Sequence, residues 1–516
     1  MGTAAHVEIE RKYDVPTSAA IESVRVRGGL ALTRPSAEVG LVAVYYDTSG
    51  LDLARHGVTL RRRTGGADAG WHLKLPAGPD QRTEAHHELG SDGEPVPDAL
   101  LSPIRALVRD RELVPVARLS TRRVEHPLLG PDGQVVAQLC DDRVTAERLL
   151  AVEPTLQWRE WEVELADGDR SVLDEVEAAL LAAGATPATS GSKLQRALGR
   201  EGPDVAPAGA ATPLVDATAG EVLAAYVATQ VNRLVSNDRG VRVDAPDSVH
   251  QMRVAARRLR SVLATHRRLL ADRERTERLR EELKWIGQAL GRARDAQVLQ
   301  SHLDGVLAAE PPELVIGPVA ARIDTELSAE YRAGQAEALR ALDSERYFRL
   351  LDALDDLADA PEYTDDAGLP AAELEPRLLA RDAKRLRRAV RAVDRAGTPG
   401  AREAALHEVR KKAKRLRYAA ECAEPALGAR AAKLARRAEA VQEALGEFQD
   451  SVVARSRLRE VGLQAHLSGE NAFTYGRLHA LEQQRADASE RAFRTAWKKV
   501  PHRRVRRWLG RARPGS

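Results

Sequence analysis

The sequence predicts two domains of different classes: an N-terminal α+β domain built on an antiparallel sheet, and a C-terminal all-α domain. Three observations predict this arrangement. Short segments in which apolar and polar residues alternate fill positions 1–200, as expected of strands. A stretch rich in Gly, Ala and Pro follows at 199–213, as in a linker. From Leu214 onward, apolar residues recur with the helical period of 3.6.

We therefore place the domains at 1–200 and 214–512, with a linker at 201–213. The length of 516 residues also favours more than one core, whereas the net charge of +3 identifies no partner. Cys140 and Cys422 lie far apart, which argues against a disulfide framework or a Cys-based zinc site. No apolar run approaches the roughly 20 residues of a membrane span, and positions 1–15 lack the apolar core of a signal peptide. We expect a cytoplasmic protein with no membrane partner.

The N-terminal domain contains about eight strands and few helices. The strands are predicted near 6–14, 40–47, 57–64, 69–76, 82–88, 120–127, 134–144 and 157–166. Helices are predicted near 16–26, 98–109 and 170–183. This composition indicates an antiparallel sheet, which could close into a barrel.

The first strand carries Glu8, Glu10 and Lys12 on one face, each roughly 7 Å from the next. Such a row could hold a divalent cation and the phosphate that it neutralises, or it could be a solvated face of the sheet. Later strands favour the first alternative, because they separate cations from carboxylates. The residues concerned are Arg61, Arg63, His72, Lys74, Arg82, Glu84, at least one of Arg122 and Arg123, and then Glu160, Glu162 and Glu164. Closed into a tunnel, these strands would suit a polyanion with bound metal ions.

In this order, Glu8-x-Glu10-x-Lys12, the basic strands and Glu162-x-Glu164 resemble the CYTH domain of the triphosphate tunnel metalloenzymes, over about residues 4–200. The resemblance implies an eight-stranded antiparallel β tunnel barrel that binds triphosphate compounds with Mg²⁺ or Mn²⁺. The implied metal ligands are Glu8, Glu10, Asp142, Glu162 and Glu164. The implied phosphate ligands are Lys12, Arg61, Arg63, Lys74, Arg82, Arg122 and Lys193, of which the first four are also expected to be catalytic. Three alternatives stay open: Glu160 for Glu162 or Glu164, Arg123 for Arg122, and Asp141 for Asp142.

The C-terminal domain contains an internal duplication. Breaks near Pro246, 311–312, 361–370, 397–400 and Pro425 divide it into eight to ten helices. The helix that begins at His250 returns at His407, and an L-G-x-x-x-D motif at Leu290 returns at Leu445. The two displacements, 407 − 250 = 157 and 445 − 290 = 155, nearly agree. Two copies of a helical bundle follow from this, at about 214–360 and 371–512.

Both copies carry a cationic stripe. The stripes comprise His250, Arg253, Arg257 and Arg260, and then His407, Arg410, Lys414 and Arg417. Each set falls within an arc of about 80°, opposite an apolar face. Solvated helices usually intersperse Glu among such cations, so an anionic partner is favoured over a merely solvated surface.

The paired H-x-x-R-x-x-x-[RK] helices, each followed by L-G-x-x-x-D, resemble the CHAD domain over about residues 214–510. The resemblance implies that the basic faces bind inorganic polyphosphate without catalysis, and that Asp295 and Asp450 position the arginines. The predicted function is therefore metal-dependent hydrolysis of inorganic triphosphate or short polyphosphate, joined to polyphosphate binding. Polyphosphate granules are a candidate location.

Three alternatives compete with this function. The tunnel could cyclise ATP or hydrolyse nucleotide or thiamine triphosphates, or the whole chain could bind polyphosphate without catalysis. Nucleic acid is a disfavoured partner, because single-strand binding relies on aromatic platforms, and aromatic residues make up only 4% of the chain and are missing from the stripes.

Overall fold

The computed structural model describes residues 4–26, 29–78, 80–90, 93–151, 153–166, 168–199, 214, 216–359 and 361–500. The chain divides into two compact units, Met1–Gly209 and Ala210–Ser516. The linker predicted at 201–213 and the end of the second domain, residues 501–516, lie outside the described residues.

The first unit is built on a closed antiparallel barrel of eight strands. The strands of this unit are β1 (Ala4–Asp14), β2 (Ala31–Leu32), β3 (Val39–Asp47), β4 (Thr59–Thr64), β5 (Gly70–Gly78), β6 (Gln81–Glu88), β7 (Val114–Leu129), β8 (Val135–Arg148), β9 (Leu156–Leu165) and β10 (Thr186–Pro187). The barrel order is β1-β6-β5-β4-β3-β7-β8-β9, and β9 pairs back with β1. The short strands β2 and β10 are added to β7 and β1. All eight predicted strands are confirmed, as is the predicted closure.

The apolar core of this unit lies outside the barrel. Trp161 and Val163 of β9 pack outward against a helix that contains Leu173 and Leu180. Because successive side chains of a strand point to opposite faces, the charged residues between them point inward. Across β1 and β9, for example, Glu10 pairs with Glu164 and Lys12 with Glu162, while Tyr13 pairs with Trp161. The barrel therefore encloses charge instead of an apolar filling.

The helices of this unit are short, apart from one. They are α1 (Asp52–Arg55), α2 (Asp98–Leu101), α3 (Arg105–Val108), α4 (Ser171–Ala182) and α5 (Lys193–Ala197). The helix predicted at 170–183 is α4, and the one predicted at 98–109 is divided into α2, a 3₁₀ turn and α3. The helix predicted at 16–26 is wrong, since only Ile21–Ser23 forms a 3₁₀ turn there. Nη1 of Arg159 donates to the carbonyl oxygens of Thr17 and Ala19 at 3.2 and 2.6 Å, so these groups are not available to a helix.

The second unit is helical. Its helices are α6 (Ala219–Arg242), α7 (Ser248–His266), α8 (Arg273–Ala289), α9 (Gly291–Ala308), α10 (Val319–Leu342), α11 (Glu345–Asp359), α12 (Ala371–Asp394), α13 (Pro399–Cys422), α14 (Glu424–Leu427), α15 (Ala429–Leu467) and α16 (Phe473–Lys499). The predicted breaks separate these helices, except that Pro425 lies inside the four-residue α14. In the described part of the chain, no helix is long and apolar enough to span a membrane.

The duplication has a structural counterpart in reciprocal ion pairs. Arg322 of α10 pairs with Glu470, and Arg477 of α16, which lies 477 − 322 = 155 positions later, pairs with Glu310. Thus α10 of the first copy corresponds to α16 of the second. The copies also differ, because α8 and α9 are divided at Leu290, whereas α15 runs unbroken through the corresponding position.

Candidate functional site

The barrel encloses a cavity of about 360 Å³ with a charged wall. The cations in the wall are Lys12, Arg61, Arg63, Lys74, Arg82, Arg123 and Lys193. The carboxylates in the wall are Glu8, Glu10, Asp68, Glu84, Glu162 and Glu164. Nearly all the predicted metal and phosphate ligands of this domain are therefore brought together, although they come from seven segments of the chain.

Two of the predicted positions need comment, Arg122 and Asp142. Arg122 is exposed and does not line the cavity, so its assignment was wrong by one residue. Thr121 and Arg123 face inward, which directs Arg122 outward. Asp142 is fully buried, and Arg123 donates to both its carboxylate oxygens, at 2.8 and 2.6 Å. Asp141 instead binds Arg159 on the other face of β8.

The predicted acidic residues form two groups. In the first, Asp142, Glu160 and Glu162 each offer an oxygen, and these oxygens lie within 4.8 Å of one another. All three residues are buried. This group, which we call the acidic cluster, offers oxygen ligands alone, and these suit a hard divalent cation such as Mg²⁺ or Mn²⁺. Glu160, which the sequence left open as an alternative ligand, thus lies in this cluster beside Asp142 and Glu162.

The second group consists of Glu8, Glu10 and Glu164, where the barrel closes. Burial and the neighbouring Glu8 and Glu10 raise the pKa of Glu164 to about 7. Burial opposes ionisation of Glu10 as well, but Lys12 and Lys74 outweigh it and lower its pKa to about 2. The two facing carboxylates therefore differ in charge near neutral pH.

The helix α5 directs Lys193 into the acidic cluster. The Ser192 hydroxyl caps this helix by accepting from the Gln195 backbone N–H at 3.2 Å. Nη2 of Arg82 holds the preceding turn by donating to the carbonyl oxygen of Gly191 at 2.9 Å. Burial disfavours the Lys193 ammonium, but the three carboxylates of the acidic cluster overcome this and raise its pKa well above the usual value.

The opposite wall is basic. Arg63 is buried, and burial together with Arg61 and Arg123 lowers its pKa to about 10. Glu84 also lines this part of the cavity and accepts from Nδ1 of His72 at 2.7 Å. The sequence placed Glu84 on the same face of β6 as Arg82 but predicted no ligand role for it.

In the helical unit, the two stripes converge where α7 packs against α13. Arg253, Arg257 and Arg410 all act on the charge of Lys414. Burial and then these three guanidiniums lower the pKa of Lys414 to about 6, which Asp450 only partly offsets. We call these four residues the basic cluster. Their convergence joins the two copies in one cationic site.

The L-G-x-x-x-D motif positions arginines of the basic cluster. Nη1 of Arg253 donates to Oδ1 of Asp295 at 2.8 Å, in agreement with the predicted role of that carboxylate. A Cβ atom at Gly291 would stand 3.5 Å from Nη2 of Arg253, and one at Gly446 would stand 3.4 Å from Nη2 of Arg410. The guanidinium groups of Arg253 and Arg410 therefore lie directly against these two glycines.

The remaining stripe residues differ from the four in the basic cluster. Arg417 pairs with Glu421 at 2.7 Å and with Glu439 at 2.8 Å, so carboxylates already neutralise it. His407 is exposed, and its Nδ1 lies 3.0 Å from Oε1 of Gln449. Burial lowers the pKa values of His250 and Arg260, and the neighbouring arginines lower them further. Of these residues, Arg417 therefore adds little net positive charge to its stripe.

Comparison with known proteins identifies a family for each unit. Residues 6–198 match the family model of the CYTH domain, and residues 225–459 match that of the CHAD domain. A Mycobacterium tuberculosis (strain ATCC 25618 / H37Rv) protein named "Uncharacterized protein Rv2226" is 42% identical in an alignment of 504 residues, which covers 95% of this chain and 94% of that protein.

Two solved structures are also similar. PptA from Streptomyces chartreusis aligns with a TM-score of 0.47 and 23% identity, covering 55% of this chain and all of that one. The CHAD domain from the plant Ricinus communis aligns with a TM-score of 0.39 and 23% identity, covering 58% of this chain and 95% of that one. CYTH domains depend on divalent metals, and members of their family typically act on triphosphates. The chain belongs to the proteins in which an N-terminal CYTH domain precedes a CHAD domain.

Proposed function

We propose that the barrel hydrolyses inorganic triphosphate or short polyphosphate with Mg²⁺ or Mn²⁺, and that the helical unit binds polyphosphate. The observation that supports the first part is a cavity whose wall is rich in cations and which adjoins the acidic cluster, since Glu162 of that cluster is part of the same wall. A polyanion alone would not need the carboxylates, and a cation alone would not need the arginines.

The side chains of the basic wall would bind the phosphates. Arg61 and Arg63 can each offer a planar pair of N–H donors to phosphate oxygens, and Lys74 offers a point charge. Lys12 and Arg82 add cations beside the carboxylates of β1. Held on several sides, the triphosphate would keep one orientation relative to an attacking water, which is a large part of catalysis in phosphoryl transfer.

The acidic cluster would hold the divalent ion through Asp142, Glu160 and Glu162. When bound, the ion would neutralise phosphate oxygens that carboxylates cannot contact directly. Glu8 and Glu10 line the cavity and form ion pairs with Lys74 and Lys12, respectively, and so they would set the position of these two cations.

A phosphate-release screen tests this function. Full-length protein is assayed with triphosphate, longer polyphosphates, ATP and thiamine triphosphate, each with Mg²⁺, with Mn²⁺ and with EDTA. We expect the highest kcat/KM for triphosphate or short polyphosphate, and no turnover in EDTA. A preference for ATP or thiamine triphosphate would favour the rival substrates, and no turnover with any compound would favour a binding protein without catalysis.

For the helical unit, the supporting observation is the basic cluster. Burial and the neighbouring guanidiniums lower the pKa values of Arg257 and Lys414, so a bound anion would favour the charged forms of both side chains. The stripes offer no aromatic side chain on which a base could stack, which favours polyphosphate over nucleic acid. We expect labelled long-chain polyphosphate to be displaced less well by RNA of equal charge than by unlabelled polyphosphate. We also expect its affinity to fall steeply with salt. Equal competition by RNA would contradict this proposal.

A further inference from the structure

The acidic cluster is surrounded by donors and cations of the chain itself. Nη2 of Arg123 donates to Asp142 at 2.6 Å and to Glu162 at 2.7 Å, while Nε1 of Trp158 donates to Oε2 of Glu160. Lys193 completes the set. Its Nζ lies 2.9 Å from Oδ2 of Asp142, 2.7 Å from Oε1 of Glu160 and 2.6 Å from Oε1 of Glu162.

Lys193 is special within this set, because among the described residues it is the one cation within ion-pair distance of all three carboxylates. Its ammonium therefore lies where the three oxygens converge, which is where a divalent cation would also be held. A cation bound to these oxygens at the usual 2.0–2.1 Å of Mg²⁺ would lie against the ammonium. Like charges at such a distance repel strongly in a buried site.

Lys193 is also able to leave the carboxylates. It occupies the first position of α5, whose cap is formed by Ser192, and both residues line the cavity. The four-carbon arm can turn towards the cavity while the helix stays in place. A triphosphate in the cavity would offer Nζ a strong alternative acceptor.

We propose that Lys193 acts as a resident counter-ion of the acidic cluster, and that it exchanges between these carboxylates and the bound triphosphate. In the free protein its ammonium competes with a divalent cation for the same oxygens. Triphosphate binding draws the ammonium away, so substrate and metal bind cooperatively. This inference rests on the proposed function of the barrel, and it gives Lys193 a role that a simple phosphate ligand would not have.

The test measures Mn²⁺ binding to the full-length protein in the absence of phosphate compounds, from the paramagnetic resonance signal of free Mn²⁺. We expect Lys193→Met to bind Mn²⁺ at least about fivefold more tightly than the wild type, at the low end of usual coupling between sites. Lys193→Gln, which keeps a donor but no charge, should do the same and replaces Lys193→Met if that variant does not fold. Lys74→Met is the matched control, because Lys74 pairs with Glu8 and Glu84 instead of with the acidic cluster. It should change the Mn²⁺ affinity less.

A second titration adds a triphosphate analogue whose bridging oxygens are replaced by methylene groups. The analogue should tighten Mn²⁺ binding to the wild type, and this tightening should be smaller in Lys193→Met. Unchanged or weaker Mn²⁺ binding to both Lys193 variants would overturn the inference. Hydrolysis of triphosphate by the wild type is measured separately, so a failure of the proposed function is distinguishable from a failure of this exchange.

Discussion

Arg63 offers a sharp test of the basic wall. Its side chain is 7% exposed and pairs with Asp68, but the lowered pKa indicates that burial and two neighbouring guanidiniums outweigh this partner. A bound phosphate would offset that cost. Replacing Arg63 by Ala should therefore remove a charge-assisted contact of about 1.5–3 kcal/mol, which lowers kcat/KM for triphosphate by about 10- to 150-fold.

The matched control is Arg62→Ala in the same strand. Arg62 is adjacent in sequence but does not line the cavity. Its replacement should change kcat/KM by no more than about twofold, as for most surface substitutions. Both variants are assayed by phosphate release, with thermal unfolding as a check on folding. The ligand-free Arg63→Ala protein should be at least as stable as the wild type. If Arg62→Ala loses more activity than Arg63→Ala, then Arg63 is not the residue of this strand that contacts the substrate. If Arg63→Ala is markedly less stable than the wild type, then the charge of Arg63 does not destabilise the ligand-free protein.

Three further predictions concern other parts of the chain. Glu10→Gln should lower Mg²⁺-dependent phosphate release by about 100-fold or more, while its circular dichroism spectrum stays that of the folded protein. Normal turnover would contradict this. Lys414, with a pKa of about 6, should take up a proton when polyphosphate binds, so affinity should increase as pH falls towards 6, and Lys414→Met should lose this part of the pH dependence. The pKa of Lys414 falls from the ordinary 10.5 to about 6 on folding, so at neutral pH the folded protein binds this proton less well than the unfolded chain and is destabilised by the difference. Lys414→Met should therefore also raise the Tm of the ligand-free protein at neutral pH. Finally, a Cβ at Gly334 would lie 2.4 Å from the Ala293 backbone nitrogen, whereas one at Gly305 would meet nothing within 4 Å. Measured by urea unfolding, Gly334→Ala should therefore lower the free energy of unfolding by about 1–3 kcal/mol. Gly305→Ala should raise it by up to about 1 kcal/mol.

Most of the barrel could be predicted from the sequence, because alternation is a local signal. Glu8, Glu10 and Lys12 share a face whatever the neighbouring strands are. The phase at Arg122 and Arg123 could not be predicted, since both candidates are cations and only the pairing of Arg123 with Asp142 distinguishes them. The prediction of a helix at 16–26 was wrong for a similar reason, because two backbone carbonyl groups in this segment accept hydrogen bonds from Arg159, which is distant in sequence.

The helical unit shows the same division between local and distant information. The stripe on each helix follows from a period of 3.6, and the apolar faces opposite them are buried as predicted, at Met252 and Leu259 and at Val409 and Leu416. The low pKa of Lys414 does not follow from its own helix, because Arg253 and Arg257 belong to α7 and are brought close by packing. The ion pairs that neutralise Arg417 also required the structure, since Glu439 lies on another helix.

The central claim is that catalysis belongs to the barrel and polyphosphate binding to the helices. Its most direct test is a crossed comparison of two full-length variants, Glu10→Gln and the double variant Arg257→Gln/Lys414→Gln. Each is measured for triphosphate turnover and for affinity towards long-chain polyphosphate at two salt concentrations. We predict that Glu10→Gln loses turnover and keeps polyphosphate affinity, whereas the double variant loses affinity and keeps turnover. If both variants lose the same property, or if the double variant binds polyphosphate as tightly as the wild type, the division of function is contradicted.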